Sequence, residues 1–123
     1  MKTYPLKDDN GFQFGFEIDN VYIGISKIAK LLSAVNNVSS IMQRRLFDFR
    51  NVNHIEFDYW GNPFIVMEPF GDNSRYWICP RNKPDYTIDI SNIEVIFKQY
   101  KPPFFIKLLG DIISLNFIDF KKK

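Results

Sequence analysis

The stretch from residue 55 to residue 79 constrains this chain more than any other. Ile55-Glu56-Phe57-Asp58-Tyr59 and Phe64-Ile65-Val66-Met67-Glu68 flank Trp60-Gly61-Asn62-Pro63, and Tyr76-Trp77-Ile78-Cys79 follows. Alternation of this kind sends successive side chains to opposite faces of a strand. The pattern predicts a continuous antiparallel meander over residues 54–79. With Tyr59 set opposite Phe64, one face carries Ile55, Phe57, Tyr59, Phe64 and Val66, and the other carries Glu56, Asp58, Ile65 and Met67. The middle strand is apolar on both faces, which places it, and Val66 within it, at the centre of a sheet covered on both sides.

Period-two alternation recurs earlier. Phe14, Phe16 and Ile18, then Val21, Ile23 and Ile25, sit on either side of Asp19-Asn20, and this predicts a hairpin turning at those two residues. Ser26 reads as the cap of a helix whose apolar stripe is Ile28, Leu31, Leu32 and Val35, ended by Asn36-Asn37. A second helix is signed by a Ser91/Glu94 capping box with Ile90 stapled against Val95. Its buried face would be Ile93, Ile96, Phe97 and Tyr100, and Pro102-Pro103 stops it. Residues 41–47 fit a strand poorly because Gln43, Arg44 and Arg45 interrupt the alternation. Residues 104–120 read as strand at Ile113, Leu115 and Phe117 and as helix at Phe105, Ile106, Leu108 and Leu109. The expected architecture is α+β: a single antiparallel sheet of about five or six strands with two or three helices packed mainly on one face.

At 123 residues, the chain is the size of a single domain, 1–123, with 121–123 expected to be a disordered basic tail. Thirteen Phe, six Tyr and two Trp are many for a core this small, which points to aromatics on a partner surface. The formal charge is +2, and removing Lys121, Lys122 and Lys123 leaves the body at −1, too little for a nucleic-acid footprint. Cys79 is the only cysteine, so no internal disulfide forms and a reducing cytoplasm is the expected location. The first nine residues hold no apolar run of a signal peptide. Lys107, Asp111 and Asp119 interrupt the most apolar stretch, so no spanning helix and no membrane partner are expected.

Chemistry-bearing residues are sparse. His54 is the sole histidine and has no serine or cysteine beside it, so a surface or capping role is the reading. Glu56 and Asp58 share a strand face and could resemble paired hydrolase carboxylates, although solvated charge or an acidic partner patch fits better. In Glu68-Pro69-Phe70-Gly71-Asp72-Asn73-Ser74-Arg75, a six-residue loop sets Glu68 opposite Arg75 as a structural clamp. One glycine without a lysine is not a phosphate loop, and no cofactor or metal site is expected.

Asn53-His54-Ile55-Glu56-Phe57, Gly71-Asp72-Asn73-Ser74-Arg75-Tyr76-Trp77-Ile78, Asp89-Ile90-Ser91-Asn92-Ile93-Glu94 and Phe97-Lys98-Gln99-Tyr100 before Pro102-Pro103 together resemble the immunity proteins of bacterial contact-dependent growth inhibition. The likeness covers residues 41–103. It implies a non-enzymatic protein that binds, one to one, a cognate toxin domain delivered by a neighbouring cell and blocks its active site or substrate access. Interface energy concentrates in a few aromatic anchors, so the expected contact residues are Trp60 flanked by Glu56 and Asp58, with Asp72 and Asn73 on the neighbouring loop. Two rivals stand beside this: a small hydrolase using Glu56, Asp58 or His54, and a single-stranded nucleic-acid binder. For the latter, only Arg44, Arg45 and Arg50 cluster near aromatics.

Overall fold

The computed structural model describes residues 1–43, 53–68, 74–82, 88–103 and 106–113. Its strands are β1 (Tyr4–Lys7), β2 (Gln13–Asp19), β3 (Val38–Gln43), β4 (Asn53–Tyr59), β5 (Asn62–Met67) and β6 (Arg75–Pro80). They form one antiparallel sheet in the order β1-β2-β6-β5-β4-β3. Helix α1 (Ile25–Ser33) lies between β2 and β3, α2 (Ser91–Gln99) follows β6, and residues 106–113 form a third helix, α3.

The meander is present as read: β4, β5 and β6 pair in sequence, and β5 and β6 are the two middle strands. Val66 is fully buried on one face of β5, and Ile65 is buried on the other. One register detail differs. Tyr59 lies opposite Asn62 and Phe57 opposite Phe64, because the connection is a two-residue turn at Trp60-Gly61 rather than a four-residue loop. The shift is two residues, so face parity is kept and all five expected apolar side chains still point into one core. Tyr59 and Phe57 both remain in ring contact with Phe64, at centroid distances of 5.6 Å each.

The expected hairpin at Asp19-Asn20 does not form. Residues Asn20–Tyr22 make a 3-10 turn, α1 begins at Ile25, and β2 instead pairs with β1 and with the distant β6. The Asp19 side chain does not close a turn, because it serves the sheet: Tyr4 Oη donates to it at 3.1 Å and Arg75 lies 3.3 Å away. β1, which carries Pro5 and was not anticipated, is an edge strand, where proline is tolerated.

Helices α1 and α2 cover the same sheet face. Ile28 and Leu32 from α1 and Ile93 and Phe97 from α2 meet Phe16, Ile18, Ile55 and Ile78 in the core. The N-cap of α1 is Gly24, not Ser26, and the helix ends before the asparagine pair expected to stop it: Ala34 is its C-cap, and Asn37, left-handed at φ 70°, lies in the turn into β3. The capping box of α2 is replaced. Asp89 Oδ1 accepts from the Ser91 amide at 2.8 Å, while Glu94 is buried and accepts from Thr3 Oγ1 at 2.9 Å. Val95 is exposed, so no staple forms. The strand reading of 41–47 holds as far as Gln43, the end of β3. Of residues 104–120, the described part, 106–113, is helical, and the remainder lies outside the described residues.

Candidate protein-binding surface

The β4–β5 turn presents the most exposed aromatic among the described residues. Trp60 has φ 53° and Gly61 φ 75°, so both central positions are left-handed, as a two-residue turn between twisted strands requires. Glycine takes this conformation freely; for tryptophan, crowding of Cβ against the carbonyl costs about 1–2 kcal/mol. Its neighbours hold the backbone there. The Trp60 amide donates to Asn37 O at 3.0 Å, and Asn62 Nδ2 donates to Trp60 O at 3.0 Å. Beneath it, Tyr59 is buried, meets the Trp60 ring edge-on and donates through its hydroxyl to Asp89 O at 3.2 Å. Trp60 as a whole is 60% exposed.

Glu56 and Asp58 lie on the sheet face away from α1 and α2, both half-buried. Glu56 is 3.9 Å from Arg81, a loose and exposed pair that contributes little. Opposite Glu56 on β3 sits Met42, which is 65% exposed. A bulge puts it there: Ser40 and Ile41 of β3 stand against Phe57 alone on β4, and Ser40 takes the extra step at φ 55°. This keeps Ile41 packed against the core and turns Met42 outward. The alternation alone hid this residue, because only the bulge decides which face it takes. Glu56, Asp58 and Met42 therefore share the outer face on the β3–β4 side of the sheet, and Trp60 stands in the turn that ends β4. Together they offer two exposed apolar side chains and two carboxylates.

Asp72 and Asn73 lie outside the described residues, and the flanks of their loop, Glu68 and Ser74, are at the opposite end of β5 from Trp60.

Glu68 and Arg75 do not form the expected clamp. Arg75 Nη1 donates to Glu17 Oε2 at 3.0 Å, its Nε lies 3.3 Å from Asp19 Oδ1, and its guanidinium stacks over Tyr4 at 3.7 Å. Glu17 also accepts from Trp77 Nε1. Glu68 instead accepts from His54 Nε2 at 2.9 Å. The cause is a second bulge, in which His54 is the extra residue of β4 against β5, so its ring turns to the core side and meets Tyr76 edge-on.

This geometry separates the residues of the hydrolase reading. His54 is on the core side with Glu68, while Glu56 and Asp58 are on the other face. Cys79 is buried, and burial pushes its thiol up to about 11, away from the range of a reactive thiolate. Among the described residues, no three His, Cys, Asp or Glu side chains are grouped so as to hold a metal ion. No family model, curated protein or solved structure matches the chain.

Proposed function

We propose that this protein is an immunity protein that binds a cognate toxin domain, one to one, in the cytoplasm and blocks its active site or access to substrate. The observation that carries the reading is Trp60, a large apolar side chain held out to solvent on a strained backbone. Strain of this kind persists where function uses it. Asparagine or glycine would form the same turn at lower cost, so the tryptophan serves something outside the fold. Met42, Glu56 and Asp58 beside it make an apolar contact with an acidic border, suited to a partner surface that is apolar and basic. The sequence resemblance in residues 41–103 supplies the class of partner.

The test is co-expression with the toxin domain encoded beside this protein. The expected result is a stable one-to-one complex and survival of the cells. Trp60→Asn is expected to leave the melting temperature unchanged or raise it by a few degrees, since asparagine tolerates the left-handed region. It should weaken the complex at least tenfold. Neither complex nor survival would end the immunity reading. A complex indifferent to Trp60→Asn would move the contact elsewhere on the protein.

A further inference from the structure

The sheet ends on β1 and β3, and the free edges of these two strands are protected differently. β1 is four residues long, carries Pro5, which has no N–H to offer, and ends on the exposed Lys7 with a register shift just before it. β3 has neither proline nor charge. Its residues are Val38-Ser39-Ser40-Ile41-Met42-Gln43, and Arg44 and Arg45 come only after the last of them. Among the described residues, no strand pairs on its outer side. Such an edge offers a row of backbone donors and acceptors to another chain.

What interrupts the row is Ser40. It is left-handed at φ 55°, a conformation its own side chain opposes, and it splits β3 into Val38-Ser39 and Met42-Gln43, each only two residues in register with β4. The faces of the strand do not need the extra residue. Without Ser40, Ile41 would stand opposite Phe57 and Met42 opposite Glu56 in an unbroken ladder from Val38 to Gln43, with Ile41 still turned to the core and Met42 still turned outward. The chain therefore keeps a strained residue that its core does not require. We propose that the Ser40 bulge is a guard that keeps β3 from pairing with β3 of a second copy of this chain. A bulge bends and twists the strand that carries it, so a flat partner strand cannot hydrogen-bond along its length. A second copy is the occupant to be excluded, because an uncharged strand sets no like charges opposite one another when it pairs with itself about a two-fold axis.

The inference is independent of the toxin reading and is tested on the chain alone. Deleting Ser40 is expected to leave the chain folded, with an unchanged or higher melting temperature. The deletion should also double the apparent mass in size-exclusion chromatography with light scattering, at concentrations where the unaltered chain elutes as a single copy. Ser40→Gly keeps the bulge in a conformation that glycine takes freely, so this variant should stay a single copy and melt no lower. Adding Ser39→Lys and Met42→Lys to the deletion should return it to a single copy, because a charged edge repels its own kind. A deletion variant that stays a single copy would overturn the inference, and so would one that doubles in mass despite the two lysines. A deletion variant that fails to fold would overturn it as well, by showing that the core needs the extra residue. An unaltered chain, or a Ser40→Gly chain, that is itself a dimer would do the same.

Discussion

Arg75 lies between the Tyr4 ring on one side and the Glu17 and Asp19 carboxylates on the other, with its side chain 33% exposed. The loop sequence suggested Glu68 as its partner because the two residues flank one turn. The sheet decides otherwise: β2 pairs with β6 so that Asp19 faces Arg75 and Glu17 faces Trp77. No local pattern in residues 68–75 could have shown this, since the partners come from 56 to 58 positions earlier in the chain. The partial exposure keeps the energies modest. Thermal or urea melts of Arg75→Ala, Glu17→Gln and the pair should give a coupling of about 0.5–1 kcal/mol. Losses from Arg75→Ala and Glu68→Gln should simply add within about 0.5 kcal/mol. A measurable Arg75–Glu68 coupling with none to Glu17 would contradict the assignment. Trp60 shows the same division of what residues reveal. Its exposure at a turn was legible from its position before Gly61, while the strain of its backbone depends on the two-residue turn that only the observed register creates.

Among the elements, those recovered from the sequence are held by neighbours close in the chain. Strands β4, β5 and β6 pair consecutively, and of the expected stripes α1 buries Ile28 and Leu32 and α2 buries Ile93 and Phe97, with Leu31 and Ile96 partly buried beside them. β2 failed because its alternation is real but its partners are remote. Phe16 and Ile18 point into the core as a hairpin would have them, yet they face Ile78 and Tyr76. The 3-10 turn then consumes the residues that resembled a second strand. Gly15 marks the junction of β2 with β6. A Cβ there would lie 2.5 Å from the Ile78 carbonyl oxygen and 2.9 Å from Cys79 Cβ. The obstructing oxygen belongs to a central strand and cannot move aside without disturbing β6. Gly15→Ala should therefore cost about 2–3 kcal/mol, a fall of roughly 10 °C in melting temperature. Gly24→Ser, at the open N-cap of α1, should change stability by only a few tenths of a kcal/mol, because space is free there and serine caps as well as glycine. Equal effects of the two would show that the β2–β6 approach is looser than described.

For the whole molecule, the strand order makes one core depend on two distant parts of the chain. β1 and β2 come from the first nineteen residues and close against β6, while β3, β4 and β5 extend the sheet on its other side. Neither half can bury its apolar face without the other, so the chain should unfold as one unit. Val66 is the sharpest probe of that unit. It is fully buried on β5, between Ile55 of β4 and Ile78 of β6, both of which are also fully buried. An aspartate there would carry an unpaired charge into the core at a cost of several kcal/mol, comparable with the ~5–15 kcal/mol that holds a domain together. Val66→Asp is thus expected to show neither a cooperative melt nor a compact elution volume. Val66→Ala removes two methyl groups and should stay folded with a loss of about 2 kcal/mol. Its unfolding should remain a single transition, with tryptophan fluorescence and far-ultraviolet dichroism coincident, because Trp60 and Trp77 report on the turn and on β6 of the same sheet. Two separated transitions would mean that the meander folds without β1 and β2, and would break the cooperative picture drawn from the strand order.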